Sequence, residues 1–252
     1  MERYQIILAY DGTDFHGSQF QTDARTVQGV LEGSLRRLNW PGKSVLMAGR
    51  TDAGVHAAAQ VAAFDLEWKH SLVDLRNALN ALLPDDVSVV QVFVRNPDFH
   101  PRYDAISRTY RYDFYTQAMR DPLLDRYAWR VWPKPDLGRL NSAAALFLGV
   151  HDFAGYGRPT RDGGSTIRNI ISISWEMDAD FFTLLVTGNA FLYHMVRRLT
   201  FAQVMAAQRK LELVELSRYL HNPKQKMIKG LAPAKGLTLI QVNYPNPIGR
   251  SD

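Results

Sequence analysis

The segment most capable of chemistry is Gly49-Arg50-Thr51-Asp52-Ala53-Gly54-Val55-His56. It places a carboxylate in a tight turn, with an arginine two residues before it and glycines on both sides. Glycine tolerates positive φ and lets a ligand approach the backbone. A nearby cation keeps a carboxylate ionised below its ordinary value of about 3.9. A carboxylate held this way can attack as a nucleophile or stabilise developing positive charge. Taken alone, an Asp in a glycine-rich turn more often caps the turn, with Arg50 solvated. His56 could serve as a general base. The seven histidines, however, are scattered without metal-ligand spacing, which favours a structural or substrate-packing role for it.

Three further segments carry chemically useful side chains. In Ser107-Arg108-Thr109-Tyr110-Arg111-Tyr112, basic and aromatic residues alternate. Strand periodicity puts Arg108, Tyr110 and Tyr112 on one face. A tyrosine in a groove can stack on a base or take part in proton transfer; the bland alternative is a core tyrosine with an edge arginine. In Gly188 to Arg198, Asn189 is a candidate helix cap. Tyr193, His194 and Arg197 then share a helix face, from which Arg197 could reach a carboxylate or phosphate. A snorkelling surface arginine is the commoner outcome. Lys226 to Leu237 is a loop shaped by Gly230, Pro233 and Gly236. Its lysines, Lys229 and Lys235 among them, have no acidic neighbour in sequence and suit phosphate contact.

The elements that must position these residues follow from periodicity. Ile6–Tyr10 reads as a strand stopped by Asp11-Gly12, and Val27 to Leu38 as a helix stopped by Pro41-Gly42. Residues 55–64 are extended, 72–82 helical and 87–94 β-rich. The second half supplies a strand over 105–115, a long aperiodic connection over 116–136 and a helix over 137–148. A strand pair follows over 167–177 and 181–187, then helices over 191–209 and 214–220, and a last strand over 237–244. This order implies an α+β fold of two halves, 1–104 and 105–252, sharing one continuous structure.

Composition narrows the function. The chain has 252 residues and no cysteine, which removes disulfides, thiolate nucleophiles and Cys-ligated metals together. GxSxG, HExxH and P-loop patterns are missing, so neither a metal nor a nucleotide cofactor has sequence support. No stretch approaches the roughly 18 apolar residues of a membrane span. The first residues lead into a strand rather than a signal peptide. A cytoplasmic location is therefore expected. The net charge of +5 is unevenly placed: residues 1–150 hold 17 basic and 17 acidic side chains, residues 151–252 hold 13 and 8. Any polyanion-facing surface is thus expected in the second part.

Together these segments resemble, in order and over nearly the whole chain, the tRNA pseudouridine synthase A family. The resemblance is carried by Tyr10-Asp11-Gly12-Thr13-Asp14-Phe15-His16-Gly17 with Gln19 and Gln21, by Thr26-Val27-Gln28-Gly29, and by the Asp52 segment. Ser107 to Tyr112, Phe191 to Arg197, and Leu231-Ala232-Pro233 through Gly236-Leu237 complete it. The chain departs from the family pattern at Ser18, where Trp is usual, at Phe20, where Arg is usual, and after Arg197.

The resemblance implies isomerisation of uridine to pseudouridine at positions 38, 39 and 40 of the tRNA anticodon arm. It implies Asp52 as the essential carboxylate, Arg197 as its ion-pair partner, and Tyr110 as the residue that stacks on uracil. Arg50, His56, Arg108, Tyr193, His194, Lys229 and Lys235 are the expected substrate contacts. It further implies no cofactor, a homodimer with tRNA across both subunits, and two RRM-like (ferredoxin-like) halves sharing a central antiparallel sheet flanked by helices. Two other classes compete. A non-catalytic RNA-binding module would have no need of Asp52, and a glycoside hydrolase would need a second carboxyl group that does not stand out nearby.

Overall fold

Residues 1–222 and 227–245 are described in the computed structural model of the chain. The fold is mixed α+β, with a central sheet of ten strands and, among the described residues, five α-helices. The chain divides into two compact units, one formed by residues 1–106 with 239–252 and the other by residues 107–238.

The first unit is built on strands β1 (Glu2–Tyr10), β2 (Leu46–Met47), β3 (His56–Leu66) and β4 (Val87–Arg95), with helices α1 (Val27–Arg37) and α2 (Leu72–Leu82). β1 lies between β3 and β4 and is antiparallel to both, with Ile6 opposite Ala62 on one side and Val92 on the other. Tyr4, Ile6, Leu8 and Tyr10 alternate with more exposed residues and are buried. The two helices bury Val27, Leu31 and Leu35, and Leu75 and Leu79, at helical spacing. Thr26 caps α1 by accepting from the Gly29 N–H, and Ser71 with Asp74 forms a capping box on α2.

The second unit holds β5 (Ser107–Tyr115), β6 (Trp129–Arg130), β7 (Gly149–Asp152), β8 (Ile167–Asp178) and β9 (Phe181–Gly188). Its helices are α3 (Leu137–Ala145), α4 (Met195–Ala207) and α5 (Leu213–His221). β10 (Leu237–Asn243) follows, and from Leu239 onward the chain belongs to the first unit. β5, β9, β8 and β7 pair antiparallel in that order. β8 and β9 form the expected hairpin, with Ala179 at φ +52 in its turn. Phe182, Leu184 and Val186 alternate inward on β9, and Phe182 stacks on Phe114 of β5 at 4.6 Å.

The long connection after β5 is less featureless than its sequence implies. It contains a turn of 3₁₀ helix at Leu124–Arg126 and the short strand β6, which pairs with β5 in parallel. The main correction concerns α4. Helical spacing extends back to Phe191, yet the helix begins at Met195 and His194, at φ +64, is its N-terminal flanking residue. Asn189 does not cap it. The Asn189 side-chain oxygen accepts instead from the N–H groups of Asn169 and Ala190, ending the sheet rather than starting the helix.

Candidate active site

In the first unit, the Asp52 turn is clamped from both sides. Ser18, only 1% exposed, makes two hydrogen bonds to Thr51: its hydroxyl accepts from the Thr51 N–H at 2.8 Å, and its N–H donates to the Thr51 carbonyl at 3.1 Å. The Tyr10 hydroxyl meets the Thr51 hydroxyl at 2.8 Å. Burial pushes the Tyr10 phenol up to about 12, against hydrogen bonds from Thr51 and Gln60 that pull it down. It is therefore a neutral brace at any physiological pH. Beyond Asp52, the Gly54 N–H donates to the Phe15 carbonyl and the Val55 N–H returns to the carbonyl of Asp52 itself. Ahead of the turn, Gln60 holds the Gly49 carbonyl at 3.0 Å.

This packing requires glycine at two places. A Cβ on Gly12 would lie 2.0 Å from the Val55 carbonyl oxygen. One on Gly17, at φ +91, would lie 2.8 Å from the Thr51 carbonyl oxygen. The Tyr10 to Ser18 segment is thus the bed on which the Asp52 turn rests. Within that bed Thr51 is buried, Asp52 is half-buried and Arg50 is exposed. His56 is 6% exposed; its Nδ1 accepts from the Gly12 N–H at 3.0 Å and lies 3.1 Å from the Asp11 carboxylate. It is locked into the bed, which agrees with a packing role more than with a free base.

In the second unit, Arg197 is held by the loop before β10. Its Nε donates to the Ala232 carbonyl at 2.8 Å, and the Ala232 N–H donates back to the Arg197 carbonyl at 3.2 Å. The same loop is tied to β5, because the buried Tyr112 hydroxyl donates to the Pro233 carbonyl at 2.8 Å. Burial raises the Tyr112 phenol well above its ordinary range despite the opposing charge of Arg197. A Cβ on Gly236 would lie 2.7 Å from both the Asp113 carbonyl and the Tyr112 ring. The closing Leu-Ala-Pro to Gly-Leu stretch therefore bridges the tyrosine strand and the arginine helix.

Tyr110 and Tyr112 do share a face of β5, two residues apart, but in different settings. Tyr110 is 8% exposed and meets Phe191 edge-on at 5.2 Å; Tyr112 is fully buried against Trp129. Arg108, also buried, donates to the Asn189 carbonyl at 2.9 Å, tying β5 to the chain that leads into α4. Tyr193 lies outside the helix, so it is not the i,i+4 neighbour of Arg197 that helical spacing implies. It is half-exposed and stacks on His194 at 3.7 Å.

Lys235 forms an ion pair with Asp125 at 2.8 Å, and Lys235 holds the Asp125 carboxyl below its ordinary range. Residue order hides this acid, 110 positions upstream. Lys229 is exposed and lines a cavity of about 390 Å³ together with Phe201, Met205 and Tyr219. Lys224 and Lys226 lie outside the described residues. Among those described, no group of three or more His, Cys, Asp or Glu side chains is arranged to hold a metal ion. Among the described residues, no helix is long and apolar enough to cross a membrane.

Sequence reasoning missed Ser18 and Thr51 as supports of the turn. A serine 33 positions from its partner leaves no local signal. Only the run of small and aromatic residues around it marks a packed segment.

A family profile described as tRNA pseudouridine synthase matches residues 6–104 and 143–245, which include the Asp52 turn and Arg197 and leave out Arg108 and Tyr110. A protein of Chloroflexus aurantiacus named tRNA pseudouridine synthase A is 37% identical, over 97% of this chain and 90% of its own length. Proteins of the same name from a Geobacter species and from Thermotoga neapolitana are 38% and 39% identical, each over 97% of this chain and 100% of their own length. Among solved structures, a Cbf5-Nop10-Gar1 complex matches with a TM-score of 0.36 at 10% identity, over 80% of this chain and 44% of that one, a level that carries no structural conclusion. With full-length relatives above 35% identity and a family match over both segments, the chain belongs to the tRNA pseudouridine synthase family.

Proposed function

We propose that this protein converts uridine to pseudouridine in tRNA, at positions 38, 39 and 40 of the anticodon arm. The observation that carries the reading is the full-length similarity to proteins named tRNA pseudouridine synthase A. The reaction breaks the N1–C1′ bond, turns the uracil and rejoins it through C5. Nothing is gained, lost, oxidised or reduced, so the reaction calls for no redox carrier or group donor. Asp52 is the essential carboxylate. It attacks C1′, attacks C6, or removes the C2′ proton, and all three need an ionised carboxylate held at a fixed place. The doubly bonded Thr51 beside it supports that requirement.

Arg197 is assigned as the ion-pair partner that orients Asp52, with Arg50 as a second candidate. Tyr110 stacks on the target uracil and is placed to take the C5 proton. A paired target must first leave its stack, at a cost of a few kcal/mol. Arg108, His56, Tyr193, His194, Lys229 and Lys235 form the surrounding contacts and offset that cost. The protein acts as a homodimer in the cytoplasm.

The test is incubation of the purified protein with an unmodified tRNA transcript carrying uridine at positions 38–40, followed by pseudouridine mapping. Modification is expected with the wild type. It is expected to fall at least about a hundredfold in Asp52→Asn, with tRNA binding retained. A fully active Asp52→Asn would overturn the role given to that carboxylate, and tRNA binding without modification would favour an RNA-binding module.

A further inference from the structure

The entry to α4 carries a cation cluster that the reaction does not account for. Arg158 and Tyr193 form an isolated β-bridge: the Tyr193 N–H donates to the Arg158 carbonyl at 2.9 Å, and the Arg158 N–H returns to the Tyr193 carbonyl at 3.4 Å. Gly157 lies directly under this contact, where a Cβ would meet Leu192 at 2.6 Å and the Tyr193 carbonyl at 3.0 Å. Arg198, in the first turn of α4, reaches the same strip of chain. Its Nη1 donates to the Tyr156 carbonyl at 3.1 Å, and its N–H donates to the His194 carbonyl at 3.0 Å. Two guanidinium-bearing residues and a half-exposed aromatic ring are thereby fixed to one another by backbone contacts.

The charges are not balanced locally. Arg158 is exposed and Arg198 is half-buried, and among the described residues neither guanidinium has a carboxylate partner. The buried Nε of Arg198 has no hydrogen-bond acceptor. Burial, and then the nearby charges of Arg158 and Arg197, push the Arg198 guanidinium below its ordinary range. A half-buried arginine beside an exposed one, with no carboxylate on either, is unfavourable unless an anion joins them. Tyr193, 51% exposed and backed by the His194 ring, offers a flat face beside it.

We propose that Arg158 and Arg198 bind a phosphodiester of the RNA backbone, and that the Tyr193 ring stacks on the base of the adjoining nucleotide. The inference rests on the reading of this chain as a tRNA-modifying enzyme and deepens it, by naming a backbone contact outside the reacting residues. Paired guanidiniums suit a phosphate because their N–H groups meet two oxygens at once. An unpaired nucleotide suits Tyr193, since every base offers a π-face.

The test measures binding of an unmodified tRNA transcript to the full-length protein between about 50 and 200 mM salt. The double variant Arg158→Ala/Arg198→Gln is expected to flatten the plot of log affinity against log salt by roughly 0.7–0.9, the contribution of one phosphate, and Arg158→Ala and Arg198→Gln each by part of that. Arg198→Lys should restore most of the slope. Tyr193→Ala should weaken binding roughly fivefold or more with the slope unchanged. Arg158 is exposed, so Arg158→Ala remains decisive even if Arg198→Gln proves unstable.

Unchanged slopes in both arginine variants would overturn the proposal, as would a loss of turnover at saturating tRNA with the slope intact. If the wild type forms pseudouridine and the slopes do not move, this cluster falls and the proposed function stands. If the slopes move and no pseudouridine forms, the cluster stands and the proposed function falls.

Discussion

Ser18 and Thr51 face each other across 33 residues of sequence and exchange two hydrogen bonds, the Thr51 N–H donating to the Ser18 hydroxyl at 2.8 Å and the Ser18 N–H to the Thr51 carbonyl at 3.1 Å. Both residues are buried, and Thr51 immediately precedes the carboxylate assigned to the chemistry. The family pattern has a tryptophan where this chain has Ser18. Here a small hydroxyl fills the position and holds the turn by hydrogen bonding.

Ser18→Ala removes the acceptor of a buried N–H, which costs about 1–3 kcal/mol. For a chain of this length each kcal/mol lowers the thermal midpoint by about 2–4 °C. Turnover is expected to fall as the Asp52 turn loosens, with the tRNA concentration for half-maximal rate nearly unchanged. Thermal unfolding and steady-state kinetics check both. A stable, fully active Ser18→Ala would mean that the turn holds itself.

The glycines divide by what surrounds them. Gly17→Ala forces a side chain onto φ +91 and against the Thr51 carbonyl, and Gly12→Ala drives a Cβ into the Val55 carbonyl. Each should cost about 1–3 kcal/mol and most of the activity. Gly33, inside α1, has nothing within 4 Å of a Cβ. Gly33→Ala should instead stabilise by about 0.5–1 kcal/mol with activity kept. Chemical unfolding of the three variants separates the two classes.

Tyr112 is expected to contribute through its hydroxyl as well as its ring. Tyr112→Phe keeps the ring and removes the bond to the Pro233 carbonyl, costing about 1 kcal/mol. Because that loop also holds Arg197 through Ala232, turnover should fall by more than the stability change explains. Tyr112→Phe with wild-type turnover would show that Ala232 holds Arg197 without help from β5.

Acid stability should depend on Asp65. Its carboxyl is held below the ordinary value of 3.8 chiefly by the hydrogen bond from Arg3, with burial opposing. The folded state there binds fewer protons than the unfolded one, so the pair stabilises above about pH 4 and the benefit is lost as pH falls through the folded value. Asp113 acts in the opposite sense: burial raises its carboxyl, so its contribution declines as pH rises through the carboxylate range. Asp65→Asn should therefore be less stable than wild type at pH 7, and the gap should narrow as pH falls below about 4. Because Asp65 is 47% exposed, the gap is at most about 1 kcal/mol. A gap unchanged with pH would remove the ion pair as its cause.

Lys229 and Lys235 should differ although they look alike in sequence. Lys229→Ala is expected to lower the salt slope of tRNA binding, whereas Lys235→Ala should lower it less, because Asp125 already matches that charge. Equal changes would show that Asp125 releases Lys235 when RNA binds.

Much of this molecule is legible from residue order. Periodicity marks every long strand and helix, because burial on one face imposes a period of two or 3.6 on the chain itself. The Asp52 turn stands out locally through the glycines on either side of it, of which Gly54 sits at φ +77. Asp52, Tyr110 and Arg197 could thus be singled out from the residues and their resemblance to a family. What depends on tertiary structure is how each is held: Thr51 by Ser18 and Tyr10, Arg197 by Ala232, Lys235 by Asp125. These partners are 33 to 110 positions apart, and hydrogen bonds and ion pairs across such distances leave no periodic trace. The start of α4 is likewise set from outside the helix: the Tyr193–Arg158 bridge keeps residues 191–194 out of a helical pattern that continues through them. The sequence alone determined which side chains are available for the chemistry; packing between distant segments decided which are buried, braced or already paired.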